Sequence, residues 1–369
     1  MKGNLKWKEI TKRVGVMFWA SVLMLQHMEV PVWAEGDSSA SELFNPVHHC
    51  NADKEYDYQD EETPSRMFLE DYSDYSYVYF GSYPQMEVTD SAVIKQIDKN
   101  LEDVGDTWVD GSRYRKISCY DTNSSIENFQ IRYDSGTVVT PAYRYFKWER
   151  IRWKVLYMDG KKALLAADKA LDCQEYNETE EDVTWESCSI RKWLNGYDGF
   201  QDKNRGKGSG DFKKESFTSK SFYDTAFEKS EQNAILQTTL VNADNAEYGT
   251  GGGNSTKDEV FLLSISDVCN TAYGFCGVDK KHTSSRWCAP TDYCYRMGGY
   301  IFERNDTAGN KSCRWNLRTP GKSLNSVSCV NYNGEIWTDG SMVNRSYNSV
   351  VVPALYLDLT SDSWSTTDD

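Results

Sequence analysis

Histidine, the side chain most often asked to move protons or hold zinc, is scarce in this 369-residue chain: His27, His48, His49 and His282 are all there are. A Ser-His-Asp site or a His-rich zinc site needs imidazoles gathered by the fold. His27 lies in an N-terminal apolar stretch and His48-His49 precede Cys50 in an acidic segment, where an accidental pair is a simpler reading than a metal site. His282 stands between Lys280-Lys281 and Thr283-Ser284-Ser285, a polar run that reads as a solvated loop. Glycoside hydrolysis needs two carboxyls about 5–9 Å apart in space. Glu149, beside Arg150 and Arg152, is one candidate acid, against the reading of a structural ion pair on a half-exposed strand. No catalytic residue is assigned.

Oxygen ligands for calcium are offered by Asn331, Asn333, Asp339 and Asn344, but Asn333-Gly334 and Asp339-Gly340 are first of all turn dipeptides. No cofactor is therefore expected, calcium being the one ion with a candidate set. Gly249 to Gly253 lacks the following Lys-Ser/Thr of a phosphate cradle and reads as a flexible loop. Aromatic residues make up 14% of the chain, and Trp148, Trp153, Trp185, Trp193, Trp287, Trp315 and Trp337 are expected mostly in the core, with one or two lining a groove. The ligand-binding candidates are Trp315, Arg318, Trp337 and Asp339; for Arg318 the competing reading is a pair with a core carboxylate.

The N-terminus explains where such a site would work. Lys2, Lys6, Lys8, Lys12 and Arg13 precede an apolar run, Val14–Leu25, too short to span a hydrocarbon core of about 30 Å. Pro31 and Val32-Trp33-Ala34 follow, so residues 1–34 read as a signal peptide cleaved after Ala34. The expected product is secreted by Gram-positive-type export, with no transmembrane segment after cleavage. Residues 1–34 carry five basic and two acidic groups, so their removal moves the net charge from −15 to −18 and argues against nucleic acid as a partner. All ten cysteines lie beyond Ala34, and an even number in an exported chain predicts disulfides; no C-x-x-C pair points to a zinc ribbon or a redox motif.

Residues 35–76 are rich in Asp, Glu, Ser and Tyr, with twelve acidic and two basic residues between Glu35 and Asp74, and read as a disordered acidic leader. Residues 77–360 read as a single α+β domain, and 361–369 as a disordered acidic tail. Alternation at Ile151, Trp153, Val155 and Tyr157 runs into Asp159-Gly160, with Ala163–Ala167 as the returning strand. Ser326–Tyr332, Glu335–Trp337 and Ser341–Asn344 read as a meander, and Val350–Leu359 as a final strand. Short helices are expected after Thr89 or Asp90 (Val93, Ile94, Ile97 inward), after Ser187 or Ser189 (Ile190, Trp193, Leu194), and over Ser230–Gln237. Gly196–Lys214 and Ala243–Lys257 are long Gly-rich loops. The fold class is α+β: loop-rich, antiparallel hairpins with a few short helices.

Several segments, in order, resemble one family: Phe80-Gly81-Ser82-Tyr83-Pro84-Gln85, Phe146-Lys147-Trp148-Glu149, Ile151–Leu156, Ser189–Asn195, Phe222–Phe227, Val260–Ser264, Leu317-Arg318-Thr319-Pro320-Gly321, Val330–Gly334 and Val352-Pro353-Ala354-Leu355. Over about residues 78–359 the chain resembles the uncharacterised bacterial domain of unknown function numbered 6273. Asn316 stands where that family commonly has a second Trp, and Val352 where it has Arg. The order of the last segments is also similar to the C-terminal core of C-type-lectin-like folds, including the formylglycine-generating branch; Trp337-Thr338-Asp339 lacks the asparagine of a lectin calcium motif. This likeness and the missing histidines imply a secreted, non-catalytic ligand-binding domain for a glycan or a surface protein. The alternatives are a carboxylate-based glycosidase, a formylglycine-generating-like oxidase, and a structural envelope-associated protein.

Overall fold

In the long strand Pro141–Asp159, every second side chain from Ile151 to Val155 is fully buried while Arg152 and Lys154 take the other face. Gly160 at φ +60 turns the chain into Lys162–Ala167, as the Asp159-Gly160 dipeptide predicts. Beyond Lys162 this returning strand is buried on both faces, because it lies inside the larger sheet. The order there is Val260–Phe261, Ala354–Asp358, Lys162–Ala167, Pro141–Asp159, Ser112–Tyr120, Gly105–Val109, with Tyr77–Glu87 also pairing with the long strand. Every pairing in this sheet is antiparallel.

The computed structural model describes residues 40–58, 66–120, 141–197, 220–277, 282–299, 301–303, 311–345 and 350–368, within one compact unit. Most of the loop expected at Gly196–Lys214 lies outside them, as does the signal segment. The class is mixed α+β, mostly antiparallel, with short helices. Among the described residues no helix is long and apolar enough to cross a membrane.

A second, five-stranded sheet orders Ile336–Met342, Ser326–Val330, Trp315–Pro320, Val350–Val351 and Asp172–Cys173. Two expectations change here. Asp339-Gly340 is no hairpin turn but a bulge inside Ile336–Met342, where Val327 faces Ser341 and Cys329 faces Trp337. The predicted final strand is two: Val350–Val351 joins the second sheet, and after Val352-Pro353, Ala354–Asp358 joins the first. Proline cannot donate to a ladder, so the chain changes sheets there.

Asp90 caps the helix Ser91–Asn100 and accepts from Ala92 N, with Ile97 buried. Ser189–Asn195 buries Ile190, Trp193 and Leu194, but its N-cap residue is Cys188, with no side-chain bond. The predicted helix Ser230–Gln237 is shorter, Lys229–Gln232, capped by Glu228; Ala234 and Ile235 are buried just past its end.

Composition misleads at both ends of the domain. Within the segment expected to be a disordered leader, Val47–Tyr58 and Arg66–Asp74 form an antiparallel ladder that His282-Thr283 extends in parallel. Tyr75 anchors its exit by donating to the Tyr273 and Gly274 carbonyls. In the acidic tail, Trp364 is buried and Ser365 bridges to Tyr79. One tryptophan supplies the apolar area that the acidic average conceals.

The disulfide expectation is also corrected. Cys173, Cys188, Cys269, Cys276, Cys288, Cys294, Cys313 and Cys329 form no disulfide among the described residues; all but half-buried Cys269 are buried, as small apolar side chains are. The side chains of Cys50 and Cys119 lie outside the description.

Asp106 accepts a two-pronged bond from buried Arg115 (2.7 and 2.9 Å) and a third from Arg113 (2.9 Å). Burial opposes its charge, but the bonds and charge of Arg115 and then Arg113 outweigh it and hold the carboxyl below the usual range. A depressed folded-state pKa gives stability that is present above the unfolded value of about 3.9 and lost as pH falls through the folded one. In urea unfolding, the wild type is therefore expected to lose more stability than Asp106→Asn between about pH 5 and pH 3; equal losses overturn this.

Candidate functional site

The four predicted ligand-binding residues do not converge. Trp315 is buried and donates from Nε1 to the Arg286 carbonyl (3.3 Å). Trp337 is half-buried beneath the Arg314 guanidinium, 4.0 Å from the ring centre. Their registers differ: Trp315 faces Val330, whereas Trp337 and Asn316 both face Cys329, so the two tryptophans point to opposite faces of the sheet. Asp339 is exposed in the bulge, where its Oδ1 accepts from Gly340 N (3.1 Å).

Arg318 is the residue around which other groups gather. Its backbone N donates to Leu263 O (2.9 Å) and its Nη1 donates to Leu262 O (2.9 Å) and Asp267 Oδ2 (2.6 Å). Ser264 and Asp267 close a reciprocal capping box on the short helix Ile265–Val268, and this fixes the carboxylate: Oδ2 also accepts from Ser264 N and Ser264 Oγ, both at 2.8 Å. Thr319 Oγ1 accepts from Ile265 N (3.1 Å) and ties the helix start to the strand carrying Arg318. The buried Arg318 Nε remains without a partner among the described residues, and the Asp267 side chain is 20% exposed.

Tyrosines lie near this pair. Tyr157 and Tyr356 both face Leu164, on the strands flanking it, so they share one face of the large sheet at two strand spacings, about 10 Å. Tyr273 lies against Tyr157, ring centres 5.9 Å apart, and Tyr356 lies 6.1 Å from Phe261, over which Arg318 sits at 5.9 Å. Burial, with Tyr273 and Asp267 adding and Arg318 opposing, pushes the Tyr356 hydroxyl up to about 12; burial and Asp267 likewise raise Tyr273. Both phenols stay neutral donors at neutral pH. Tyr157 is 38% exposed, and Lys162 rests 5.7 Å from the Tyr356 ring. The cluster thus presents aromatic faces, hydroxyls, a carboxylate oxygen and a positive charge together, the mix that orients a polar ligand on an apolar floor.

Tyr157 enters the sequence reading as a strand residue; Tyr273, Tyr356 and Asp267 do not enter it. Ser264-x-x-Asp267 is a capping pattern legible in sequence. The pairing with Arg318 is not, since 51 residues separate them.

Other candidates resolve differently. Glu149 forms no ion pair with its neighbours: Arg150 donates to Tyr79 O and Ser365 Oγ, and Arg152 pairs with Asp168. Half-buried Glu149 has its carboxyl raised by burial, with Asp368 and Asp292 adding and Lys147 and Lys169 opposing. The structural reading of that residue is corrected, because strand alternation sends consecutive side chains to opposite faces. Asn331 Oδ1 accepts from Arg314, and Asn333 Oδ1 from Glu335 N. The calcium candidates are therefore spread along one hairpin, from its turn at Asn331 and Asn333 to the bulge at Asp339 and on to Asn344, and Asn331 Oδ1, Asn333 Oδ1 and Asp339 Oδ1 already accept hydrogen bonds. His49 Nε2 meets Asp74 Oδ2 at 3.1 Å, while the His282 side chain lies outside the description. Among the described residues no group of three or more His, Cys, Asp and Glu side chains is arranged for a metal. The Gly-rich loop is pinned, not loose: Asn245 Nδ2 donates to the carbonyls of Pro320 (2.9 Å) and Thr338 (2.8 Å).

These features define an α+β domain with a tyrosine-lined polar cluster where the C-terminal strands of its two sheets meet a short helix. The family model of the domain of unknown function DUF6273 matches residues 160–359, which contain Asp267, Tyr273, Arg318 and Tyr356. The chain belongs to the DUF6273 family. Tyr157 and the segments around Phe80 and Phe146 lie before the matched residues. No curated protein and no solved structure matches the chain.

Proposed function

We propose that the chain is an exported, non-catalytic binding protein whose ligand is a glycan held at the Arg318 cluster. The observation that carries this reading is the convergence of Tyr157, Tyr273 and Tyr356 on the Asp267–Arg318 pair. Tyrosine faces cover the apolar faces of a sugar ring, while fixed donors and acceptors select its hydroxyls. A C-type-lectin-like ordering of the C-terminal sheet belongs to the same proposal. Its support is the Trp315 strand, the Ser326–Met342 hairpin and the return of Val350 beside Trp315 in parallel. The oxidase alternative has no exposed thiol pair among the described residues to rest on.

The test is a glycan and mucin array probed with the full chain and with Tyr157→Ala, chosen because that ring is exposed. The variant is expected to weaken binding about tenfold, which corresponds to about 1.4 kcal/mol. Unchanged binding removes the site. Hydrolysis of any bound glycan that is abolished in Glu149→Gln would replace this reading with the glycosidase one.

A further inference from the structure

At one end of the larger sheet, the strands Gly105–Val109 and Ser112–Tyr120 join through Asp110 (φ +48) and Gly111 (φ +80). A two-residue turn with both central residues at positive φ fixes the register of the strands it joins. Trp108 therefore stands directly opposite Arg113, and Asp106 opposite Arg115, all four on one face of the hairpin. The helix Ser91–Asn100 takes the other face, where Ile97 clusters with Val109 and Tyr114.

Arg113 is held in place before any ligand arrives. Its guanidinium carbon lies 3.6 Å from the centre of the Trp148 ring, and Nη2 donates to Asp106 Oδ2 (2.9 Å). Its Nε and Nη1 meet no acceptor among the described residues, and the side chain keeps 28% of its exposure. Arg115 bonds both Asp106 oxygens, so two guanidiniums share one carboxylate and a positive charge is left over. Trp108, across from Arg113, is 59% exposed, although tryptophan is a mostly buried residue.

We propose that Trp108 and Arg113 form a second binding site, which takes the carboxylate-bearing sugar residues of an acidic glycan. The indole covers the C–H face of a pyranose ring, as aromatic side chains do for apolar surfaces with a polar rim. The open Arg113 donors take the carboxylate, the partner that a guanidinium fork matches. Direct opposition on paired strands sets the two Cβ atoms about 4.5–5.5 Å apart, a spacing that one hexuronate can bridge with its ring and its acid group. A neutral sugar would leave the surplus charge unanswered. The whole chain is acidic, at −15, so the attraction is local to this arginine. Stacking on Trp148 has already removed much of the freedom that Arg113 would lose on binding, which favours association. The site shares no residue with the Arg318 cluster and does not depend on that cluster binding a sugar.

The experiment titrates trigalacturonate calorimetrically into the full chain, alongside its methyl ester, which keeps the rings and loses the charge. The acid is expected to bind about tenfold more tightly than the ester, and Trp108→Ala and Arg113→Gln each to weaken the acid about tenfold. In Arg113→Gln the preference for acid over ester is expected to vanish, an effect that a purely structural arginine would not produce. No binding of the acid, equal binding of acid and ester, or full affinity in Trp108→Ala overturns the proposal. Loss of binding in Tyr157→Ala with Trp108→Ala unaffected also overturns it, because the oligomer then belongs to the Arg318 cluster. Trp108 is exposed, so its truncation is expected to leave the fold intact; if Arg113→Gln fails to fold, Trp108→Ala and the ester decide.

Discussion

Arg286→Ala is expected to destabilise the domain by about 4 kcal/mol, the loss that follows when a fully buried charged hydrogen-bond hub is removed. The Arg286 side chain is 1% exposed, and its guanidinium donates to three backbone carbonyls: Val268 (2.8 Å), Gly334 (3.0 Å) and Cys276 (2.6 Å). Those carbonyls belong to the short helix Ile265–Val268, the turn of the Ser326–Met342 hairpin and the segment after Tyr273. Arg286 thereby joins three pieces of chain that share no ladder. Truncation strands all three oxygens without water and opens a void beside Trp315, whose Nε1 donates to the Arg286 carbonyl. Lysine does not restore the site, because an ammonium cannot present the planar fork that reaches three acceptors. Urea unfolding of the variant checks the value, with Arg152→Ala as the reference: that side chain is 46% exposed in its pair with Asp168, and its loss is expected to cost about 1 kcal/mol or less. A cost at Arg286 no greater than at Arg152 refutes the hub.

Gly334→Ala carries the second large effect, about 3 kcal/mol. Two costs add. The residue sits at φ +83, where a side chain strains the backbone by about 1–2 kcal/mol. A Cβ there would also overlap the carbonyl oxygen of Thr283, a backbone atom that cannot swing aside. Thr283 is held in place because its N donates to the Asn333 carbonyl (3.2 Å). Gly160, at φ +60 in the other hairpin, has nothing within 4 Å of the corresponding position; Gly160→Ala should therefore show the strain alone, about 1 kcal/mol. The contrast between the two variants in thermal or urea unfolding tests the overlap. Because Gly334 also receives a bond from Arg286, the double variant is expected to lose less than the sum of the two single losses. Strict additivity would show that the contacts are independent.

Local structure was legible wherever one short window held the whole cause. Asp159-Gly160 between alternating apolar runs, Asp90 before Val93 and Ile97, and Asn333-Gly334 before Glu335 each contain their own turn or cap chemistry. The windows failed where two answers share one local pattern. Asp339-Gly340 serves a turn or a bulge equally well, and the partner strand chose the bulge because Val327 and Cys329 already face Ser341 and Trp337. Val350–Leu359 reads as one apolar run, and only the two sheets waiting on either side of Pro353 divide it.

By itself, the sequence determined the α+β class, the two principal hairpins, the start of the helix Ser91–Asn100 and a core built on tryptophan, because these follow from periodicity and turn residues within about ten positions. Only the tertiary structure decided that Arg318 meets Asp267, that tyrosines from three separate segments lie near them, and that Trp315 and Trp337 face opposite ways. A site is a meeting of side chains across long stretches of chain, and the registers and packing that bring them together are properties of the assembled sheets. Composition averages also hid Trp364, a single buried aromatic in a segment that its charge describes as loose, and the pairing of Val47–Tyr58 with Arg66–Asp74.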